Sequence, residues 1–258
     1  MKVSLLQTDI RWSDTSANWQ KAERLISQAE ASDLYILPEM WTTGFATEPE
    51  NVAERADDDT GFTETFDRMR SIARKYNAAI AGSVAIKLAD GSFRNRFMFV
   101  TPEGYDYYDK RHLFTYGHED KHYTAGDRRV IVHWRGVRFL LQVCYDLRFP
   151  VYSRNRGDYD AVIYVANWPE GRRRVWDALL CARALENQCF VLGVNRVGDD
   201  PQCHYNGGTV VMDAYGRILG MAKDNEEQVV TVKLDMNRLY AFREKFPVLA
   251  DGDAYKLV

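Results

Sequence analysis

The sequence predicts an α/β protein that forms a single domain across residues 1–258. Runs of branched and aromatic residues, typical of buried strands, alternate along the chain with segments whose apolar residues recur at helical spacing. No Pro-, Gly- or Ser-rich linker, internal repeat or low-complexity stretch interrupts this alternation. With 258 residues, 46% of them hydrophobic, the chain is long enough to bury one substantial core. The alternation by itself also fits a doubly wound parallel sheet.

The composition is that of an ordinary globular protein, and it argues against some classes of partner. The formal net charge of -3 and the pI near 6.0 give no long-range attraction to nucleic acid or to an anionic membrane. Polar residues interrupt the stretch 1–9 too early for a signal peptide, and no apolar run approaches the length of a membrane span. We therefore expect a cytoplasmic protein. Its four cysteines lack metal-binding spacing and are expected to be free thiols.

The first half of the chain contains strand and helix patterns in alternation. Strands are predicted at residues 3–7, 34–37 and 78–86, and helices at residues 17–29 and 62–76. A hairpin with arms at 97–100 and 105–108 follows from the turn Pro102-Glu103-Gly104. The hairpin leads into 109–114, and the segment after it is polar and predicted to be irregular.

The second half of the chain repeats the alternation. A strand is predicted at 137–143, a helix around 151–156, a further strand at 161–166 and then a long helix. That helix carries an apolar stripe, expected to lie in the core of the subunit or of a dimer, formed by Trp176, Leu179, Leu180 and Ala184. Strands are then predicted at 190–195, 209–213, 217–221 and 228–232. The charged and aromatic tail, about 239–258, is predicted to wrap the domain or a partner subunit.

One strand ends at a cysteine. The run 137–143 is typical of a strand in a covered sheet, and Cys144 follows it, with Pro150 favouring a helix start soon after. At such a strand end, solvent and backbone N–H groups favour the thiolate, so we expect a reactive cysteine. Free cysteines are also among the most often buried residues, so the position alone equally fits a core residue.

Two further strand ends carry ionisable groups. Glu39 follows the strand at 34–37, and Lys110 follows the second arm of the hairpin. Lys110 lies 71 residues after Glu39, and Cys144 lies 34 residues after Lys110, so only the fold can bring the three together. Each charge, taken alone, also fits a solvated surface residue.

Three segments around these residues carry a family resemblance. They read LPEM at 37–40, DKRHL at 109–113 and VCYDLRFP at 143–150. In this order, each at the end of a strand, they resemble the signature segments of the nitrilase superfamily of carbon–nitrogen hydrolases. Three further segments resemble its omega-amidase branch: YVANWP at 164–169, ARALENQ at 182–188 and REKFP at 243–247.

The resemblance covers essentially the whole chain and implies a fold. That fold is an α-β-β-α sandwich, a four-layer arrangement of two sheets face to face with helices outside. Members of the family commonly dimerise through the helices that follow the cysteine strand, so the resemblance implies a homodimer.

The resemblance also implies roles for individual residues. Amide cleavage needs a nucleophile, a positive group near the carbonyl oxygen and a proton donor for the departing amine. Cys144 would attack, Lys110 and the backbone N–H of Tyr145 would hold the oxyanion, and Glu39 would be the general acid and base. The resemblance implies that Glu119 orients the lysine or the substrate. We expect Asp146 and Arg148 to brace the cysteine turn rather than to contact substrate.

The expected activity is that of a thiol-dependent amidase without a cofactor. The omega-amidase branch implies a short 2-oxo dicarboxylic acid monoamide, such as 2-oxoglutaramate, with the diacid and ammonia as products. Arg172, at the start of the basic run 172–174, is the expected anchor for the substrate carboxylate, with Asn167 and Trp168 on the same rim. Nitriles, N-carbamoyl compounds or other amides remain alternatives, and a non-catalytic dimeric scaffold would have an unreactive Cys144.

A competing motif suggests a zinc peptidase. Residues 118–122 read HEDKH, the spacing of a helical zinc motif in which two imidazoles share one face. Here Gly117 precedes the motif, Gly126 follows it, and no apolar face is present to dock a helix. We therefore expect His118 and His122 to be loop residues beside Glu119, with no metal.

Overall fold

The computed structural model describes residues 1–56 and 63–256. Its strands are β1 Lys2–Gln7, β2 Leu34–Ile36, β3 Glu54–Arg55, β4 Ala79–Lys87, β5 Phe93–Val100, β6 Tyr105–Asp109, β7 Ile131–Trp134, β8 Val137–Val143, β9 Ala161–Val165, β10 Phe190–Val194, β11 Val197–Asp199, β12 His204–Asn206, β13 Val210–Met212, β14 Ile218–Met221 and β15 Gln228–Lys233. Its helices are α1 Thr15–Gln28, α2 Glu64–Tyr76, α3 Glu119–His122, α4 Pro150–Ser153, α5 Arg173–Asn187 and α6 Met236–Lys245. Phe62, the predicted first residue of the second helix, and 257–258 of the predicted tail lie outside the described residues.

The strands form two large sheets and a small one. The first sheet has the order β15-β1-β2-β4-β5-β6, with β3 also paired to β4, and the second has the order β14-β13-β10-β9-β8-β7. Strands β11 and β12 form a separate antiparallel pair. Each large sheet mixes parallel and antiparallel pairs, as in β1–β2 and β4–β5. The doubly wound single sheet that the alternation also allowed is therefore not formed.

The two large sheets pack face to face around the main core. Branched and aromatic side chains from both sheets fill this layer; examples are Leu5, Ile36 and Phe99 from the first sheet and Phe139, Ile163 and Leu192 from the second. The rings of Phe99 and Phe139 lie 6.0 Å apart between centroids, so they make contact across the two sheets. Helices α1 and α2 cover the outer face of the first sheet, and α5 covers that of the second. The predicted α-β-β-α sandwich is therefore present.

Local capping explains where the outer helices begin and end. The Asp14 carboxylate accepts the N–H of Ala17 at 2.9 Å at the start of α1. In α2, the Thr63 hydroxyl accepts the N–H of Phe66 at 3.2 Å, and Asn77 ends the helix with a left-handed φ of 47°. Such caps satisfy backbone groups that have no partner inside the helix, each stabilising it by about 1 kcal/mol.

The helix after the cysteine strand is shorter than predicted. The sequence indicated a helix around 151–156, but α4 ends at Ser153. The Asn155 side-chain oxygen accepts the N–H groups of Gly157 and Asp158 at 2.9 and 3.2 Å. This local side-chain bonding competes with the helix and turns the chain away.

The segment after residue 114 is more ordered than the sequence indicated. It contains a 3₁₀ turn at Thr115–Gly117, the one-turn helix α3 and strand β7, which pairs antiparallel with β8. The prediction of an irregular segment was therefore wrong for these elements.

The C-terminal tail packs on its own domain as far as the structure describes it. Leu239 of α6 is buried in the main core. The Arg243 guanidinium donates to the carbonyl oxygens of Tyr159 and Gln188 and pairs with Asp160 at 2.9 Å. Contact of the tail with a partner subunit stays a prediction. Among residues 1–56 and 63–256, no helix has both the length and the apolar character needed to cross a membrane.

Candidate active site

The three predicted strand-end residues meet at the edge where the two sheets adjoin. Glu39 follows β2 and Lys110 follows β6 in the first sheet, whereas Cys144 follows β8 in the second. Glu39 is fully buried and Lys110 is 1% exposed. The Lys110 Nζ donates to Glu39 Oε1 at 2.9 Å. The structure therefore places the Glu39 carboxylate and the Lys110 ammonium, from distant parts of the chain, in direct contact.

Glu119 is the second carboxylate in contact with Lys110. The lysine Nζ lies 2.8 Å from Glu119 Oε2 and 3.1 Å from Oε1. The N–H of Phe114 also donates to Oε2 at 2.7 Å, which fixes the carboxylate at the start of α3. One buried ammonium is thus shared by two buried carboxylates.

Cys144 lies at a strained turn. It begins a 3₁₀ turn, Cys144–Arg148, with φ at 45°, a left-handed value that costs a residue other than glycine about 1–3 kcal/mol. Its thiol donates to the Asn167 carbonyl oxygen at 3.9 Å. The N–H of Tyr145 lies in the first turn of this 3₁₀ helix, where backbone donors have no intrahelical acceptor. The predicted oxyanion donor is therefore next to the nucleophile.

Asp146 holds this turn in place. Its Oδ2 accepts the Val143 N–H at 2.9 Å and the Tyr108 hydroxyl at 2.8 Å. Its Oδ1 accepts the backbone N–H and the Nδ1 of His112 at 3.1 and 2.7 Å. Asp146 thus connects the cysteine turn to the segment that carries Lys110, and its predicted bracing role is confirmed.

The electrostatic environment keeps the thiol protonated at rest. Burial raises the pKa of Cys144 well above its ordinary value, and Glu39 raises it further against the opposing effect of Lys110. The expectation that the strand end favours a thiolate was therefore wrong, because burial and the carboxylates outweigh the single ammonium. A proton acceptor must act as the sulfur attacks.

The charges of the two partners are also shifted. Burial lowers the pKa of Lys110, but Glu119 and Glu39 raise it by more, so the ammonium form is favoured. Burial raises the pKa of Glu119, and the nearby Lys110 opposes that shift. Lys110 therefore acts as a fixed positive charge rather than as a proton carrier.

Asn167 lies between the cavity and Glu39, and its contact with substrate stays a prediction. Its backbone N–H donates to Glu39 Oε2 at 2.9 Å, and its side-chain amide donates to the Glu39 carbonyl oxygen at 2.7 Å. It lines the cavity as well, and the first of these bonds positions the Glu39 carboxylate. Trp168 forms a buried wall, and its indole N–H donates to the Arg172 carbonyl oxygen at 2.8 Å.

A cavity of about 140 Å³ opens above Cys144. Its walls are largely aromatic and include Trp12, Phe45, Phe114, Tyr145, Trp168 and Tyr205. Two arginines also line it: the Arg172 guanidinium lies 5.4 Å from the Phe114 ring centroid, and that of Arg148 lies 5.3 Å from the Trp168 ring centroid. Neither forms an ion pair with any residue in the described ranges. The prediction that Arg148 braces the turn was wrong, because its exposed side chain faces the cavity.

The other arginines of the basic run do not line this cavity. Arg173 pairs with Asp177 at 2.9 Å and with Asp224 at 2.8 Å, and Arg174 is exposed. Of the run 172–174, Arg172 is the residue available to a ligand above Cys144.

The zinc-like spacing does not produce a zinc-like arrangement. His118 precedes α3 with a left-handed φ of 61°, and the Glu119 carboxylate is turned toward Lys110. His122 Nδ1 contacts Glu50 at 3.3 Å. His122 lies in α3, so the prediction that it is a loop residue was wrong. This helix has a single turn. Within the described ranges, no three His, Cys, Asp or Glu side chains are grouped as metal ligands.

Two polar residues of the site were not predicted from the sequence. Asn95 of β5 is 1% exposed, and its amide donates to Glu39 Oε1 at 2.9 Å and to Glu119 Oε1 at 3.1 Å. Ser83 of β4 donates its hydroxyl to Asn95 Oδ1 at 2.8 Å. Ser83 stands inside an otherwise apolar strand, which was an available signal, whereas Asn95 lies between two arginines and is not set apart by its pattern.

The sandwich and the Cys144, Lys110, Glu39 and Glu119 cluster are those of a thiol-containing hydrolase, and the chain belongs to the carbon-nitrogen hydrolase family, whose model matches residues 2–244. It acts on carbon–nitrogen bonds. The superfamily resemblance inferred from the three signature segments is confirmed.

Individual relatives agree with this assignment. The chain is 46% identical to "Omega-amidase YafV" of Yersinia enterocolitica, covering 100% of this chain and 99% of that protein. It is 34% identical to "2-oxoglutaramate amidase" of Bacillus subtilis, covering 96% of each. The crystal structure of XC1258 from Xanthomonas campestris, described as a CN-hydrolase superfamily protein with an arsenic adduct in the active site, matches with a TM-score of 0.94 and 42% identity, covering 100% of this chain and 99% of that one.

Proposed function

We propose that this protein is an omega-amidase that hydrolyses the terminal amide of a short 2-oxo dicarboxylic acid monoamide, such as 2-oxoglutaramate. The observation that carries the proposal is the cavity above Cys144, in which Arg172 and Arg148 have no acidic partner among the described residues. Two arginines in the wall of the cavity that also holds the nucleophile suit a substrate with a carboxylate at one end and an amide at the other. The omega-amidase and 2-oxoglutaramate amidase relatives support the same substrate.

The first half-reaction forms a thioester. Cys144 Sγ attacks the amide carbon as Glu39 accepts the thiol proton, which gives a tetrahedral intermediate. The Lys110 ammonium and the Tyr145 N–H stabilise its oxyanion. When the carbon–nitrogen bond breaks, Glu39 returns the proton to the leaving nitrogen, and ammonia departs.

The second half-reaction releases the acid. Glu39 takes a proton from a water molecule, whose oxygen attacks the thioester carbon. The sulfur leaves as the carbon–sulfur bond breaks and regains a proton from Glu39. Products are the 2-oxo diacid and the free enzyme, so the cycle consumes one water and needs neither a cofactor nor a redox step. Glu119 contributes by accepting a hydrogen bond from Lys110, which also donates to Glu39.

Substrate orientation follows from the cavity walls. The Arg172 backbone is fixed beside Trp168 because its carbonyl oxygen accepts the indole N–H, and both residues line the cavity together with Cys144. A guanidinium in this position binds a carboxylate through a charge-assisted, bidentate pair. Arg148, across the Trp168 ring, is available to the 2-oxo group or to a second carboxylate oxygen.

An ammonia-release screen tests the proposal. The panel contains 2-oxoglutaramate, 2-oxosuccinamate, a neutral amide of equal length, a nitrile and an N-carbamoyl amino acid, with Cys144→Ala as the control for contaminating activity. We expect the two 2-oxo acids to give the highest kcat/KM. Preference for the neutral amide, the nitrile or the carbamoyl compound would overturn the substrate assignment. Activity lost on EDTA treatment and restored by zinc would instead favour the peptidase alternative.

We also propose a homodimer. The predicted stripe on α5 does not supply the interface, since Trp176 and Leu180 are buried within the subunit. Exposed apolar side chains lie instead on the edge strand β14, where Ile218 and Met221 are 54% and 50% exposed. Leu185 of α5, 49% exposed, lies beside the turn at Gly216 that leads into β14. A two-fold partner would cover this patch.

A cytoplasmic location is part of the proposal. The four cysteines, all within the described residues, are free. Free thiols suit a reducing compartment. Cell fractionation with antibody detection tests this, and recovery of the protein outside the cytoplasmic fraction would contradict it.

A further inference from the structure

We propose that Asn95 is the positioning residue that fixes which oxygen of Glu39 exchanges a proton with Cys144. The inference rests on the proposed function, because it assigns Asn95 a part in the same reaction. Asn95 does not line the cavity, and it acts through the two carboxylates that its amide joins.

The orientation of the Asn95 amide is determined by its neighbours. The Ser83 Oγ accepts the backbone N–H of Met40 at 2.9 Å, so its own hydrogen is directed to Asn95 Oδ1, 2.8 Å away. The Asn95 carbonyl oxygen therefore faces Ser83, and its NH₂ group faces the carboxylates. The reversed amide would set an oxygen against two carboxylates and leave the Ser83 hydroxyl hydrogen without its acceptor.

The two hydrogens of the Asn95 NH₂ group are divided between the two glutamates. One lies toward Glu39 Oε1 at 2.9 Å and the other toward Glu119 Oε1 at 3.1 Å. Lys110 Nζ contacts the same two oxygen atoms at 2.9 and 3.1 Å. Each Oε1 is thus bound by one charged and one neutral donor, so two buried carboxylates can lie side by side with a single cation.

This arrangement leaves the two oxygens of Glu39 unequal. Oε1 is committed to Asn95 and Lys110, whereas Oε2 accepts the Asn167 N–H. The carbonyl oxygen of the same Asn167 contacts the Cys144 thiol. Oε2 is therefore the oxygen on the side of the nucleophile, and Asn95 keeps Oε1 from rotating into its place. Loss of this constraint should slow both proton transfers and leave substrate binding intact.

A purely structural role makes different predictions. A buried asparagine with satisfied hydrogen bonds stabilises any fold, and its replacement would lower the melting temperature without a change in pH dependence. Asn155 provides the matched control, because it is 3% exposed, donates to the carbonyl oxygens of Tyr159 and Asn187, and lies outside the site.

The experiment compares Asn95→Asp with Asn155→Asp. The carboxyl introduced at position 95 can donate a hydrogen bond only while protonated, and it adds a third negative charge once ionised. For Asn95→Asp we expect kcat on 2-oxoglutaramate at neutral pH to fall by about 10- to 100-fold, with KM changed by less than about 3-fold. The remaining activity should peak at a lower pH than in the wild type. Asn155→Asp should keep the wild-type kcat and pH optimum.

A second measurement needs no substrate. The rate at which iodoacetamide alkylates Cys144, followed by mass spectrometry of its peptide, is recorded against pH. The added negative charge should move the midpoint of this curve to higher pH in Asn95→Asp but not in Asn155→Asp. This measurement remains decisive if 2-oxoglutaramate proves not to be a substrate, in which case the proposed function fails alone.

Ser83→Ala covers the case in which Asn95→Asp does not fold. This change leaves Asn95 in place but removes the hydroxyl that orients its amide, so kcat should fall by about 3- to 10-fold with KM unchanged. An unaltered kcat and alkylation curve in the folded variants, or a loss confined to KM, would overturn the positioning role.

Discussion

The imidazole of His112 donates its Nδ1 hydrogen to Asp146 Oδ1 at 2.7 Å, and the backbone N–H of His112 donates to the same oxygen. The ring stacks on Phe149, with centroids 3.8 Å apart. His112 is two residues from Lys110, and Asp146 is two residues from Cys144. This pair therefore sets the distance between the ammonium and the sulfur, although neither residue lines the cavity.

Asp146→Asn should weaken both folding and catalysis. Each carboxylate oxygen accepts two hydrogens, so an amide NH₂ in either position would face donors. We expect the free energy of unfolding to fall by about 2 kcal/mol and kcat/KM to fall more than about 10-fold. Denaturant titration and steady-state kinetics measure the two effects. Asp67→Asn on the exposed face of α2 is the control, and equal small effects in both variants would contradict the bracing role.

Cys144→Ala should fold normally and have no amidase activity. The side chain is small and its removal leaves the bonds of Asp146 in place, whereas the thioester cannot form without the sulfur. Circular dichroism and ammonia release test the two parts. Cys181→Ala on α5 should retain the wild-type rate. More than a trace of turnover in the first variant would exclude a thiol mechanism.

Glu39→Gln should separate thiol ionisation from catalysis. The Glu39 charge raises the pKa of Cys144, so its removal lowers that pKa while burial still holds it above the ordinary value. The pH midpoint of Cys144 alkylation should therefore move downward, so that more thiolate is present at a given pH. Hydrolysis should nevertheless fall by at least about 100-fold, because no group is left to move the proton.

The control for this experiment is Glu50→Gln, a carboxylate beside His122 outside the site. Glu50→Gln should leave both the pH curve of Cys144 alkylation and the rate of hydrolysis unchanged. If alkylation of the Glu39→Gln protein required a higher pH than that of the wild type, the stated effect of the carboxylate on the thiol would be wrong.

Arg172→Ala should weaken kcat/KM on 2-oxoglutaramate by about 10- to 150-fold. A hydrogen bond to a charged group contributes about 1.5–3 kcal/mol, and this variant removes the cation that holds the carboxylate. A neutral amide should lose much less. Arg174→Ala, an exposed neighbour on α5, serves as the matched control. Equal losses on the charged and neutral amides, or none on either, would remove Arg172 as the anchor.

Light scattering at micromolar concentration should give about twice the chain mass of 29.8 kDa. Substituting both Ile218 and Met221 by Lys should shift the protein toward the monomer, since two charges would be buried in the apolar patch. Ser71→Lys, on the exposed side of α2, should leave the mass unchanged. A wild-type monomer would contradict the dimer.

The sequence predicted those reactive residues that lie at the ends of strands. Glu39 and Cys144 each follow a run of buried residues, and Lys110 follows the second arm of a hairpin. The segments around all three match a family, so both the site and the sandwich could be predicted. The charge state of Cys144 could not, because it depends on the sum of burial and charges from three separate segments. Arg148 was misassigned since the direction of a side chain after a turn is not a property of its neighbours in sequence.

Two further errors have different causes, one local and one long-range. Helix α4 is short because the Asn155 side-chain oxygen accepts nearby backbone N–H groups. The apolar pattern of the sequence does not indicate these hydrogen bonds. Asn95 was missed because its partners lie 56 and 24 residues away in the chain.

The contact between the two sheets has a consequence for partly folded states. The acid–base group and the ammonium belong to one sheet, and the sulfur belongs to the other, so each half-sandwich carries an incomplete set of reactive groups. A chain in which only the first sheet has formed cannot cleave an amide, and a subunit whose sheets separate under heat or denaturant loses its activity. Activity therefore requires the packing of the two sheets on each other, of which the contact between Phe99 and Phe139 is one part.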